Sequence, residues 1–445
     1  ETHQVSARRM APSLPHRERG ARGDSGGARQ AVHLPLLHGE VAKIGKLKGL
    51  SDLRISYNSF KSTVMEDLTK NFVREKKYDD YGRFQSLNLI IKGQPLFRVN
   101  IEYNSNSQIS LKSVFLLHKT NNEEVAYNAN NQVNIVKSED SNWVYSHDIN
   151  GNVVSVTEQG QRIAMGYDSG DRVVQFGDLE FVTYDDRGFV IRRGEQRYTY
   201  NVLGQMVSAF EPGKFATRFY YDDQKRLIGV QDHRGNSVQY IYSNPAMPSQ
   251  VTHIHEPKTG TVKELLYDEE NMLVAMETAD NRYYIATDDA ASPIAVFDTR
   301  GKMLKQIKRT PFGRTMHDSS PGIDVPIDFH GGILDKHTRL IHFGDRVYDP
   351  VLGQWMTPDW QKLGLNLESP FDLFAYRFLN NNPLNRQQEL VRYSTGSEDS
   401  WMKLVGLDLS DLVGSDYMTR DIVQPDLVQG AAGQLDKSPE IELAI

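Results

Sequence analysis

A tyrosine–aspartate signature recurs along this chain and restricts its fold more than any other feature. It stands as Tyr78-Asp79-Asp80-Tyr81-Gly82-Arg83-Phe84, as Tyr184-Asp185-Asp186-Arg187-Gly188-Phe189-Val190, and as Tyr221-Asp222-Asp223-Gln224-Lys225-Arg226-Leu227. Looser copies begin at Tyr103, Tyr127, Tyr145, Tyr167, Tyr200 and Tyr267. The spacing is roughly 16–25 residues, the range of a repeat array. Each copy sets a polar Asp-x-x-Gly or Asn-x-x-Gly turn between short stretches of alternating apolar and polar residues. Asp and Asn bond their own backbone in turns, and Gly or Asn accepts positive φ, so the unit is a β-hairpin. A lone hairpin buries too little apolar surface to stand alone, so the units must stack or wind into a continuous sheet.

Composition agrees with an all-β chain. Over 445 residues the apolar fraction is 39% and the aromatic fraction 10%, mostly Tyr and Phe, the residues that suit pleated surfaces. The formal charge of −7 gives no bulk attraction to nucleic acid or anionic membrane. Without cysteine there are neither disulfides nor thiolate metal sites. No apolar run approaches the ~18 residues of a membrane span, and no signal-peptide core is present. No membrane insertion by this chain is expected. The first residue is Glu rather than Met, which predicts a fragment of a longer protein.

Four segments follow from the pattern. Residues 1–50 contain no Phe, Tyr or Trp and place six arginines among Gly, Ser and Pro, so they are expected to be disordered or foreign to the fold. Residues 51–326 read as hairpin after hairpin. From 327 to 385 the pattern tightens into aromatic and Gly/Pro-rich motifs. Residues 386–445 form a linker with one short apolar stretch, Trp401–Leu409, and a polar tail.

The third segment carries Gly331-Gly332-Ile333-Leu334-Asp335 and His342-Phe343-Gly344-Asp345-Arg346-Val347-Tyr348-Asp349-Pro350. There follow Gly353-Gln354-Trp355-Met356-Thr357-Pro358-Asp359 and then Ala375-Tyr376-Arg377-Phe378-Leu379-Asn380-Asn381-Asn382-Pro383. This resembles the associated core that ends an RHS/YD-repeat array. Its wording is closer to teneurins than to bacterial RHS toxins, and the likeness covers roughly residues 53–385. The resemblance implies a YD shell, a spiralling antiparallel β-hairpin barrel closed by the core segment. It further implies a non-enzymatic adhesion and signalling module on the extracellular side of the plasma membrane, part of a single-pass protein. The implied partners are latrophilin-type receptors or further teneurin copies, with no cofactor and no nucleic acid. The alternative is a toxin-encapsulating shell.

In RHS toxins a similar core is an aspartyl autoprotease, whose two carboxylates must lie close enough to share a proton. The family's arginine falls on Arg346 and its downstream aspartate on Asp359, but the aspartate that should follow the arginine is Val347. The motif is therefore degenerate and no catalytic residue is expected. Structural roles fall instead to Tyr78, Asp79, Gly82, Tyr184, Asp185, Gly188, Tyr221, Asp222, Tyr348, Asp349, Gly353 and Trp355. His330, Asp335, His337 and His342 are ligand types at spacings that fit no metal motif. His253 and His255 alternate on one strand and read as a surface pair. Arg22-Gly23-Asp24-Ser25 matches a short integrin-read tetrapeptide but lies outside the resemblance.

Overall fold

A computed structural model describes residues 42–46, 52–57, 62–67, 70–178, 180–359 and 375–384. The chain divides into two units, Glu1–Gly396 and Ser397–Ile445, and every described residue lies in the first. The RGDS tetrapeptide and the Trp401–Leu409 stretch lie outside the described residues.

Among the described residues, twenty-seven strands, from Ala42–Lys46 to Thr315–Asp318, form one antiparallel sheet. Each pairs with the next in sequence, as Phe72–Tyr78 does with Phe84–Ile91 and that strand with Gln94–Tyr103. Binary patterning sets the faces: along Gln94–Tyr103, Phe97, Val99 and Ile101 are buried while Arg98, Asn100 and Glu102 are exposed. The sheet starts earlier than residue 51. Ala42–Lys46 pairs with Asp52–Tyr57, so local composition alone did not locate the first strand: cross-strand pairing can hold a segment with no aromatic residue.

Two kinds of turn alternate along the sheet. Two-residue hairpins such as Lys92-Gly93 close one edge, both residues at positive φ, as the strands' twist demands. The Tyr-Asp turns close the other edge, each with a bulge at the tyrosine, as at Tyr78, Tyr103, Tyr127, Tyr167, Tyr184, Tyr200, Tyr221 and Tyr267. Tyr145 departs from this pattern. It sits mid-strand against Phe312, and the turn begins two residues later at His147-Asp148. Turns at Asp288, Asp298 and Thr310 follow the same plan without a preceding tyrosine.

The sheet also folds onto itself. Leu53, Ile55, Phe72, Leu89 and Phe97 share one core with Leu266, Val274, Tyr284 and Phe297, and the Phe72 and Tyr284 rings stack at 4.4 Å. A second core runs from Val133 to Val296 and takes in Phe312, Val347 and Met356. The 327–385 segment adds a four-stranded sheet: Ile333–Leu334, Ile341–Phe343, Arg346–Asp349 and Gln354–Trp355. Among the described residues it contains the 3-10 turns Phe329–Gly331 and Leu379–Asn381, and no α-helix occurs among them.

Candidate functional site

The recurrent turn works through one carboxylate. Asp79 Oδ1 accepts from the backbone N–H of Tyr81 at 3.0 Å and of Arg83 at 2.8 Å, and the Asp79 carbonyl accepts from Gly82 at 2.8 Å. The remaining oxygen takes the Arg83 side chain at 2.7 Å. Asp185 and Asp222 repeat the plan, with Gly188 and Lys225 at positive φ in the place of Gly82. Asp168 does likewise: burial pushes its carboxyl up, but side-chain and backbone hydrogen bonds from Arg172 outweigh that and hold it below the usual carboxylate range.

Tyrosine links one repeat to the one before it. The hydroxyls of Tyr103, Tyr127, Tyr167, Tyr184 and Tyr200 donate to the carbonyls of Phe84, Ile109, Val153, Val173 and Val190. Each acceptor is the residue that directly follows the preceding turn. Both halves of the signature thus hold the sheet together, the aspartate within its own turn and the tyrosine across to the repeat before it.

In the core, Tyr348-Asp349 re-uses this turn with one residue added. Tyr348 Oη donates to Phe312 O at 2.8 Å, Asp349 Oδ1 accepts from Val351 N at 2.8 Å, and Gly353 N donates to Asp349 O at 2.8 Å. The second Asp349 oxygen takes Arg193 Nη1 at 2.6 Å. Gly353 has φ +69°, and a Cβ there would stand 2.9 Å from Phe312 Cδ1. Trp355 belongs to a buried aromatic group with Phe343, Tyr348 and Phe378.

Arg346 lies over Trp355, its guanidinium carbon 4.0 Å from the ring centroid. It donates to Asp359 Oδ2 at 3.1 Å and to Thr357 O at 3.1 Å. Val347 is buried among apolar neighbours. Asp345 occupies the tight turn ahead of Arg346 rather than a strand face, and burial pushes its carboxyl up. A guanidinium thus clamps Asp359, while Asp345, raised by burial and in part by the Asp359 charge, stands one residue before Arg346. The position that follows Arg346, where the resemblance would set the second carboxylate, is the apolar Val347.

The segment 375–384 does what the motif alone did not disclose. Asn382 Nδ2 donates to Asn131 O at 3.2 Å, Asn381 Nδ2 to Gly151 O at 3.1 Å, and Tyr376 Oη to Gly188 O at 2.6 Å. Arg377 bonds Asn150 O and Asn152 Oδ1. Asn131, Gly151 and Gly188 are the positive-φ residues of three turns of the repeat, at Tyr127-Asn128, His147-Asp148 and Tyr184-Asp185. In that conformation the carbonyl is turned out of the ladder and can take a side-chain donor. The core segment therefore staples several turns along one edge. Tyr376, Arg377, Asn381 and Asn382 went unassigned in sequence, although the Asn-Asn-Asn run, whose Nδ2 groups can each donate two hydrogen bonds, was the available signal.

The histidines do not converge. His330 Nε2 pairs with Pro383 O at 2.7 Å, His337 lies against Phe215, and His342 lies against Phe219. Asp335 Oδ2 caps its own turn by accepting from Thr338 N. Among the described residues no group of three or more His, Asp or Glu side chains could hold a metal ion. His253 and His255 bond Thr252 and Gln239.

Two buried cation clasps were also invisible in sequence. Arg74 and Lys76 reach Asp268, with Lys76 Nζ 3.0 Å from its carboxylate, and Lys76 also meets Glu269 at 2.5 Å. Lys112 reaches Asp288 at 3.0 Å and Asp289 at 2.8 Å. Asp268 and Asp288 are turn aspartates whose fourth following residue is Met272 or Ser292 instead of arginine. Their free oxygen is met by a cation from a distant strand.

A long antiparallel array of Tyr-Asp hairpins, stapled by an aromatic core segment, defines a YD-repeat shell. The teneurin YD-shell family matches residues 35–384, and the chain belongs to that family. Teneurin-m of Drosophila melanogaster is 43% identical over 84% of this chain and 14% of its own length. Teneurin-1 of Homo sapiens is 35% identical over 64% of this chain and 11% of its own length. The chain thus spans a small part of these relatives. Among solved structures, TcdB2-TccC3-TEV aligns with TM-score 0.48 and 12% identity, over 75% of this chain and 21% of that one.

Proposed function

We propose that this chain is a non-enzymatic, extracellular adhesion module of a teneurin-like cell-surface protein. Family membership supports the setting. The observation that carries the non-enzymatic reading is the Arg346–Asp359 pair with Val347 between the strands' apolar side chains. A hydrolytic dyad needs one carboxylate protonated and one ionised in close contact, and here the neighbour of Asp359 is a permanent cation. The partners of such a module are proteins of an opposing or neighbouring cell, of the latrophilin or teneurin kind. No helix among the described residues is long and apolar enough to cross a membrane.

The test is a bead assay. Beads carrying the chain should cluster with cells displaying a latrophilin-type receptor or a teneurin, above the level of untransfected cells. Intact mass of the purified chain should stay constant through prolonged incubation. Inhibitor-resistant self-cleavage abolished by Asp359→Asn, with no capture of either cell type, would reverse the assignment in favour of a processing shell.

A further inference from the structure

The outward face of the strands between 180 and 221 has the composition of a binding surface. Phe181 is 58% exposed, Tyr220 43% and Phe210 39%. Arg192, Arg197 and Arg218 are exposed on the same face. Register fixes their arrangement. Arg192 stands directly opposite Arg197, Arg197 directly opposite Phe210, and Phe210 directly opposite Ala216. Arg218 follows two residues after Ala216 and is thus a diagonal neighbour of Phe210, roughly 7–8 Å away by strand geometry. Tyr220 continues the same face of that strand.

Two features set this face apart from ordinary surface. Like charges directly opposite on a sheet are destabilising, and Arg192 against Arg197 is such a pair in a protein whose net charge is −7. Second, no acidic side chain stands on this face among the described residues of these strands. Arg192 does reach Glu195 in the adjoining turn, at 3.3 Å, while no ion pair among the described residues includes Arg197 or Arg218. Exposed aromatic residues with arginine between them are the pattern that dominates protein–protein binding energy, because planar rings and guanidinium groups lose little freedom on contact.

We propose that this face is the docking surface for a protein partner that presents carboxylates among apolar side chains. The occupant follows from charge complementarity: the guanidinium groups of Arg197 and Arg218 take carboxylates in bidentate fashion, Phe210 fills the apolar position between them, and Phe181 adds a second apolar position on the strand beyond Arg192. The inference deepens the adhesion reading and rests on it. It places the partner on the sheet's outer face, away from the core segment.

Arg197→Glu separates this role from a structural one. The variant turns the Arg192–Arg197 repulsion into an attraction, so the melting temperature should hold or rise. In the bead assay, capture of cells displaying the latrophilin-type receptor or the teneurin should nevertheless fall at least tenfold. Phe210→Ser, a substitution on the exposed face, should lower capture likewise while leaving the melting temperature within about a degree or two, as expected for a surface change. Wild-type beads that bind while both variants bind equally well would overturn the surface and leave the adhesion reading standing. Beads that capture neither cell type even as wild type would overturn both. If enzymatic removal of sulfated glycans from the cells abolishes capture, the arginines bind polysaccharide and the acidic protein partner is excluded.

Discussion

At the scale of single residues, Arg346 shows how much one buried cation holds. Its guanidinium stacks on Trp355, pairs with Asp359 and bonds Thr357 O. Removing one partner of a buried ion pair leaves the other charge without compensation, at about 3–5 kcal/mol. Arg346→Ala should therefore lower the melting temperature clearly, with no change in intact mass, and Arg346→Lys should recover only part of the loss because an ammonium lacks the planar fork. An unchanged denaturation midpoint in Arg346→Ala would show that the pair is dispensable. Gly188 poses a steric case. At φ +82° an added Cβ would lie 2.5 Å from Tyr376 Oη, the atom that donates to Gly188 O. Gly188→Ala should destabilise more than Tyr376→Phe, which removes one hydrogen bond worth about 0.5–1.5 kcal/mol; urea titration of both would rank them.

At the scale of elements, the short strand Ile341–Phe343 carries a pH response. Burial lowers His342 to about 4, and Asp335 offsets this only in part. The unfolded chain binds a proton near pH 6.5 that the folded chain refuses until about pH 4. The stability gained by keeping the ring neutral is thus complete above about pH 6.5 and is lost as pH falls through that window. His147 runs the same way: burial and the Arg377 charge lower it to about 4. The midpoint of chemical denaturation should drop between pH 6.5 and 4. His342→Leu should flatten that slope, and a slope identical to wild type would remove His342 as its source. The turns add a second fall at lower pH. Asp79, Asp168 and Asp232 lie below their ordinary values because hydrogen bonds to each carboxylate outweigh burial. Their contribution is therefore present above about pH 4 and lost on further acidification.

At the scale of the whole molecule, stability depends on contacts that sequence separation hides. Arg74 and Lys76 are 194 and 192 residues from Asp268 by numbering, and all three side chains are buried. Lys76 feels burial first, yet the charges of Asp268, Glu269 and Glu270 raise it and keep it protonated. Arg74→Met should lower stability by removing one of the two buried cations on Asp268 and leaving Lys76 to hold that carboxylate. Pairing it with Asp268→Asn, which preserves an acceptor for the turn's backbone N–H groups, should restore part of that loss. A double-mutant cycle that shows simple additivity would mean the clasp contributes no coupling.

The sheet itself was legible in the chain. The Tyr-Asp-x-x-Gly spacing gave hairpins because the turn is local: Asp79 bonds groups two and four residues away, and Gly82 needs only its own positive φ. Strand faces followed from alternation for the same reason, while Tyr348, Asp349, Gly353 and Trp355 were marked as structural by the Tyr-Asp-Pro-x-x-Gly-x-Trp step that the family resemblance singles out. The copy at Tyr145 was misplaced by two residues because the tyrosine position of that repeat holds His147. What tertiary structure alone decided is every interaction whose partner lies in another repeat. Met272 and Ser292 at the arginine position mark the turns that need an outside cation, but only the folding of the sheet onto itself brings Arg74, Lys76 and Lys112 to them. Likewise, only the docking of 375–384 on the turn edge tells Asn381 and Asn382 from any polar loop. Local hydrogen bonds are written in sequence because their partners are a few residues apart, whereas the clasps and the staple depend on how many strands intervene and how far the sheet twists between them.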